Sequence, residues 1–334
     1  MSEHTVLSEH TRQHDTTDRS EGRRMLAVVQ HDFGGPEVLR PAEVARPVPG
    51  PGEVLVRVAA AGVNPADWRI RSGEVRRFGE PPFTLGLDLA GEVAGLGPEV
   101  SGFRVGQAVL GIAFPPHGAY AQYAVVAQER LAAVPAGLDL VQAAALPTAG
   151  LTAFQALTHV APVTAGRRVL VHAAAGGVGH LAVQLAKARG GYVIGTARAE
   201  KHAFLRRLGA DELIDHTRQD FAQAVRDVDV VLDPIAGDYG PRSLAVLAPG
   251  GTLVDVRGTG PDRTVTRALA AERGLRYVEF GFTPVGADLA QLAALAADGR
   301  VRPALAEVLP LTEAAAAHRL SETGRVPGKI VLTV

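Results

Sequence analysis

Residues 167–187 read R-R-V-L-V-H-A-A-A-G-G-V-G-H-L-A-V-Q-L-A-K, a short apolar run meeting a glycine-rich turn that opens an amphipathic segment. The run at 169–172 fits a buried strand. Gly176 and Gly177 allow a tight turn, Gly179 lacks the Cβ that would hold a pyrophosphate at a distance, and Ala182 is small enough for a helix to pack on the strand. Free N–H groups at the helix start, with the helix dipole, favour a bound anion. A lone G-x-G-x-x-A match is weak, but here strand, turn and helix arrive in the required order. The stretch predicts a dinucleotide cradle with Ala175, Gly176, Gly177, Val178 and Gly179 around the phosphates.

Outward from the turn, residues 147–284 alternate strand candidates (169–172, 192–196, 213–215, 228–233, 251–256 and 275–280) with helical patterns, which implies a doubly wound parallel sheet. Residues 25–146 instead show short β-type runs between glycine and proline turns, such as Val54-Leu55-Val56-Arg57-Val58, a pattern of a small barrel. The segment 285–334 carries helical patterns at 289–297 and 312–321 and a last β run, Ile330-Val331-Leu332, expected to return to the first domain. Residues 1–24 are polar and aperiodic; their His4, His10 and His14 are read as scattered histidines of a loose tail rather than a metal site, and Met25 as an alternative start.

The chain's 334 residues, 47% of them hydrophobic, suffice for two domains with a sizeable core. Its net charge of -1 gives no field to recruit nucleic acid or an anionic membrane, and Arg76-Arg77 and Arg206-Arg207 read as solvated faces. There is no cysteine, so disulfides, thiolate nucleophiles, iron–sulfur clusters and cysteine-ligated zinc are excluded. No apolar run is long enough to cross a bilayer and no signal-peptide core is seen, so the expected compartment is the cytoplasm.

About twenty positions past the glycines, where an acidic residue normally holds the NAD ribose, stands Ala197. A 2′-phosphate needs cations and hydroxyl donors, so Thr196, Arg198 and Lys201 favour NADP(H), although Arg198 and Lys201 also fit the start of a solvent-facing helix.

From Met25 on, the chain resembles the medium-chain dehydrogenase/reductase superfamily, and within it the zinc-free quinone oxidoreductase and alkenal/enone reductase branch. The resemblance is carried by Q-H-D-F-G-G-P-E-V-L (30–39), A-G-V-N-P-A-D-W-R-I-R-S-G (61–73), G-L-D-L-A-G-E-V (86–93), G-A-Y-A-Q-Y (118–123), P-T-A-G-L-T-A-F (147–154), the glycine turn and G-K-I-V-L (328–332). It implies an α/β chain with a GroES-like β-barrel catalytic domain (25–146, completed by 285–334) and a Rossmann cofactor domain (147–284). Zinc-dependent relatives have a cysteine ligand where Asn64 stands and a G-H-E segment where Gly86-Leu87-Asp88 stands. Both ligand positions are lost here, and Asp88 alone cannot hold a catalytic zinc, which takes three protein ligands.

The resemblance therefore implies an NADPH-dependent reductase of quinones or α,β-unsaturated carbonyls, in which the cofactor carries the chemistry and the protein supplies position and a few donors. Asn64 fits a donor to the acceptor oxygen or the nicotinamide ribose, and equally an Asn-Pro turn. Trp68, the only tryptophan, fits a flat wall against a conjugated substrate or ordinary packing. Asp67 and Asp88 read as loop-fixing residues with a minor claim as proton donor, and water is the default donor. Arg69 or Arg71 fits a cation that steadies an oxyanion, with surface solvation as the favoured reading. The isolated His117, His172 and His180, and Tyr120 and Tyr123, read as packing or surface residues. Thr148, Thr152, Ile235, Val256, Gly258 and Lys329 are expected near the cofactor, with a solvent-exposed strand end as the other reading of Lys329. Two further readings stand: an enoyl-thioester reductase of polyketide or fatty-acid metabolism, and a non-catalytic NADPH-binding sensor. The resemblance also implies a homodimer, since relatives often pair the edge strand, here 275–280, across a twofold axis.

Overall fold

The computed structural model describes residues 24–334, so His4, His10 and His14 lie outside the described residues. The first strand, Arg24–Gln30, is central in a three-stranded sheet between Arg40–Ala45 and Phe83–Thr84. A seven-stranded sheet forms the rest of the barrel-like unit around the long strand Glu53–Val63. Its alternating apolar residues Val54, Val56 and Val58 are buried, whereas Arg57 is exposed and pairs with Glu92. The chain's final strand, Lys329–Thr333, lies antiparallel to Glu53–Val63, with Ile330 opposite Val63. The end of the sequence thereby completes the first unit.

The second unit is a six-stranded parallel sheet in the order Glu212–Ile214, Tyr192–Thr196, Arg168–Val171, Val228–Asp233, Leu247–Asp255 and Arg276–Glu279. The chain winds outward first to one side of Arg168–Val171 and then to the other. The crevice between Arg168–Val171 and Val228–Asp233 is thus the topological switch point where ligands bind in such sheets. Both faces of the sheet are covered. Val169, Val171, Val230 and Leu232 face the main core with the helix Gly177–Ala188, and Leu170, Val231 and Leu253 face a second cluster around Phe221 and Leu244. Near-continuous apolar runs in these strands follow from that double burial.

Element ends differ from the sequence reading where side-chain periodicity is silent. The edge strand is Arg276–Glu279, because the Leu275 N–H turns back to Ala270 O and the bond from the Phe280 N–H to Asp255 O is the last of the ladder, and the helix near 312–321 is Ala314–Glu322 after a short 3-10 turn, Leu311–Glu313. Between the units, helix Pro147–Gln155 runs on through a π-turn, Ala156–Val160.

Candidate active site

Two walls face each other across the crevice. One is the glycine turn. Its sharp bend sits at Ala173, whose φ of 45° is left-handed, and not at a glycine. Gly179 has a packing reason to lack a side chain. A Cβ there would overlap the Ala173 carbonyl oxygen and lie 2.7 Å from Ala174 Cα, so the turn could not fold back under the helix. Gly176 caps helix Gly177–Ala188, and the N–H groups of Gly177, Val178 and Gly179 have no acceptor one turn back, which leaves the donors an anion needs. Ala175 accepts from the N–H of Gly328 at 2.9 Å, tying the turn to the final strand. His180, buried in the first turn, accepts from the N–H of Ala304 at 3.1 Å through Nε2 and therefore donates from Nδ1 to the Gly176 carbonyl at 2.9 Å. Burial pushes its pKa down to about 4, so it is held neutral.

The other wall starts where Asn64 caps the helix Pro65–Ser72, with Pro65 in the first turn and Gly73 closing it at φ 82°. Lys329 does not end in solvent. Its ammonium is buried, donates to Val63 O at 3.1 Å and to Asn64 Oδ1, and lies 3.4 Å from Asp88 Oδ2. Asp88 Oδ1 in turn accepts from the Thr148 N–H at 2.9 Å. With its oxygen turned to Lys329, the Asn64 amide presents Nδ2, which is buried and has no acceptor in the protein; the Thr148 hydroxyl is in the same condition. Such orphaned buried donors are costly unless a ligand takes them.

Behind Asn64, Asp67 is fully enclosed, and its carboxylate accepts from the Asn64 N–H (2.7 Å), the Leu87 N–H (3.1 Å) and the Tyr120 hydroxyl (3.3 Å). Burial and then Asp88 push its pKa up to about 7, against those donors. Arg71 can only donate, so its 3.1 Å contact to His318 Nδ1 places the ring proton on Nε2, which donates to the Tyr120 oxygen at 3.0 Å. The series Arg71, His318, Tyr120, Asp67 is thus oriented from end to end, and Glu322 closes it by pairing with Arg71. Burial, then Arg71, holds His318 down at about 3. Reading Arg69 and Arg71 as surface-solvated is overturned: both are buried, because helix Pro65–Ser72 packs on helix Ala314–Glu322 and against the Rossmann-side loop.

The remaining sequence candidates divide. Thr196 is buried and its hydroxyl lies 3.2 Å from His172 Nδ1, on the sheet face packed with Phe221 and Tyr239, so it is not turned toward a 2′-phosphate. Arg198 is exposed at that strand's end, and Lys201 lies one 3-10 turn on, 4.0 Å from Glu200. The Thr152 hydroxyl is used inside its own helix, donating to Thr148 O at 2.7 Å. Ile235, Val256 and Gly258 follow the ends of strands Val228–Asp233 and Leu247–Asp255, at the carboxyl edge of the sheet. Trp68 is half-buried, its indole N–H without an acceptor and its ring 5.3 Å from the Arg69 guanidinium. Tyr120 and His318 were not marked as site residues by sequence, since no local spacing links positions so far apart.

Residues 50–136 match the family model described as alcohol dehydrogenase GroES-like domain, and residues 208–332 the one described as zinc-binding dehydrogenase. The quinone oxidoreductase of Lama guanicoe is 35% identical over 325 residues, covering 93% of this chain and 98% of that protein. A 2-haloacrylate reductase of Burkholderia sp is 36% identical over 329 residues, covering 92% and 98%. The crystal structure of Escherichia coli quinone oxidoreductase complexed with NADPH superposes with a TM-score of 0.86 at 29% identity, over 92% of this chain and all of that one. A barrel-like unit completed by the last strand, a glycine turn at the switch point and full-length likeness to these proteins together make this chain a member of the quinone oxidoreductase branch of the medium-chain dehydrogenase/reductase superfamily.

Proposed function

We propose that this protein is an NADPH-dependent reductase of quinones or α,β-unsaturated carbonyl compounds that works without a metal. The observation that carries the reading is the buried Lys329–Asn64–Asp88 group facing the glycine turn. A zinc ion does not fit there: a catalytic site takes three protein ligands, an ammonium already neutralises Asp88, and no three His, Asp or Glu side chains converge among the described residues. NADPH supplies the hydride when bound. The free N–H groups from Gly177 to Gly179 would hold its pyrophosphate beside Ala175 and Gly176, and Arg198 and Lys201 its 2′-phosphate. The Thr148 hydroxyl, Ile235, Val256 and Gly258 would line its nicotinamide end.

The Asn64 amide, locked by Lys329, would donate through Nδ2 to the acceptor oxygen as charge grows there, and Trp68 would flank a flat substrate. Asp67 fixes the backbone of Asn64 and Leu87, and the proton comes from water. The edge strand Arg276–Glu279 supports a homodimer paired across it, and the cytoplasm is the proposed compartment. No helix of the described residues is long and apolar enough to cross a membrane.

NADPH oxidation assayed with quinones, enones and crotonyl thioesters tests the reading. Asn64→Ala is expected to lower kcat/KM for enones about tenfold or more, the value of one donor to a developing charge. Unchanged kcat/KM would remove Asn64 from the mechanism, and no turnover despite tight NADPH binding would favour a sensor. Arg198→Asp should weaken NADPH far more than NADH, and equal losses would reject the phosphate site.

A further inference from the structure

Three arginines meet where helix Pro65–Ser72 faces the loop after strand Leu247–Asp255, and they are not equally neutralised. Arg263 is ion-paired, its Nε lying 2.7 Å from Asp255 Oδ2 and 3.8 Å from Glu279, although its Nη2 is also buried without an acceptor. Asp255 is further occupied by the Tyr277 hydroxyl at 3.1 Å and the Arg257 N–H at 2.9 Å. Arg69 has only Glu74, at 3.8 Å, and Glu74 is shared with the Thr259 hydroxyl at 2.8 Å. Arg257 makes no ion pair among the described residues. Arg69 donates to the Arg257 backbone carbonyl at 3.0 Å, which ties its helix to this loop across the domain seam, and the Arg257 guanidinium is near enough for its charge to act on Arg69.

Yet Nε of Arg69 and Nε of Arg257 are both buried without an acceptor, and Arg69 as a residue is only 8% exposed. Burial, then the Arg257 charge, pulls the Arg69 pKa down. Two guanidiniums served by one shared carboxylate, with unused N–H groups, have the chemistry to bind an anion.

We propose that Arg69 and Arg257 bind a carboxylate carried by the substrate, so that this enzyme prefers α,β-unsaturated acids to neutral enones. The proposal rests on the reductase reading and narrows it. Arg69 lies on the helix that Asn64 caps and Arg257 directly follows Val256, so on the proposed reading both stand beside the nicotinamide end of the crevice. A carboxylate activates a double bond poorly, because the electron pair displaced by hydride arriving at the β-carbon must collect on oxygens that already carry a charge. Paired guanidiniums offset that charge, one solvent proton then goes to the α-carbon, and NADPH plus one proton yields NADP⁺ and the saturated acid.

Trp68 gives a direct readout, since it is the only tryptophan and lies under Arg69. Fluorescence titration of the NADP⁺ complex with crotonate and with crotonamide measures the acid preference without turnover. Crotonate is expected to bind about 10- to 100-fold tighter than crotonamide, the range of a charge-assisted bond lost, with the same ratio in kcat/KM. Both Arg69→Gln and Arg257→Gln should bring the ratio near unity; Arg257→Gln, on a half-exposed loop, keeps the test valid if the first fails to fold. A wild-type ratio near unity overturns the proposal. So does an unchanged ratio with weakened NADP⁺ binding, which would assign the arginines to the cofactor. Quinone reduction without acid preference would remove this inference alone, whereas acid preference in binding with no reduction of any acceptor would remove the reductase reading instead.

Discussion

The two walls of the crevice are made of different material. The glycine-turn wall is backbone: N–H groups at a helix start, a left-handed Ala173 and a Gly179 that must lack a side chain. The opposite wall is side chain: an ammonium, a carboxylate and an amide from three distant parts of the chain, backed by the oriented series from Arg71 to Asp67. A phosphate needs several fixed dipoles, which a turn provides within ten residues. A reacting oxygen needs one donor aimed from a dry place, and that takes a buried network to hold it.

The sharpest way to break the second wall is Lys329→Met. It leaves Asp88 buried without its counter-charge, and such half-removed pairs cost about 3–5 kcal/mol. Urea unfolding should show that loss, together with a lower kcat/KM for enones because the Asn64 amide is released to rotate. Adding Asp88→Asn should recover a large part of the stability but not the activity. If the double variant is no more stable than the single one, the buried pair is not what holds this wall.

The same contrast explains what could be read in the sequence. The first wall lies in 167–187 and is governed by local rules, so strand, turn and helix were legible, down to Ala182 beneath the sheet. What local rules could not give was which atom each glycine spares: Gly179 avoids its own turn's carbonyl, a matter of chain reversal in three dimensions. Thr196 shows a similar limit, since alternation along a strand does not say that His172 waits on the chosen face. The second wall joins Asn64 to Lys329 and Tyr120 to His318, across 265 and 198 positions of sequence. No pattern spans such distances. Arg71 looked like a surface cation for the sound reason that most are, and Lys329 could be read as a cofactor neighbour or a solvent-exposed strand end; the packing of helix Pro65–Ser72 on Ala314–Glu322 buries the first, and the closing of the barrel by the last strand the second.

The first wall should yield to a single methyl. In Gly179→Ala the new Cβ meets backbone, which cannot rotate away, so the turn must open. Overpacking of this kind costs about 1–3 kcal/mol. NADPH affinity should fall in parallel with thermal stability, whereas Gly176→Ala, whose Cβ would stand 3.2 Å from one carbonyl oxygen, should be milder in both. Equal effects at the two glycines would mean that the turn is softer than its geometry implies.

The smallest effect concerns the seam between the walls, where His180 joins the Gly176 carbonyl to the Ala304 N–H. Its folded pKa of about 4 lies below the unfolded value of about 6.5, so the folded state excludes a proton that the unfolded chain accepts. The stability tied to this residue is therefore fully present above about pH 6.5 and drains away as pH falls toward 4. The loss is under about 1 kcal/mol by pH 6 and about 2 kcal/mol by pH 5. Protonation puts a hydrogen on Nε2 where the Ala304 N–H now points, so the seam should part first and cooperative unfolding follow. Denaturant midpoints of the wild type and His180→Gln, measured from pH 7.5 to 5, should converge at the acid end, because glutamine can bridge the same two groups without titrating. His172 and His318 are also buried neutral and leave a residual acid slope in both proteins. Parallel curves would show that His180 does not govern the acid response.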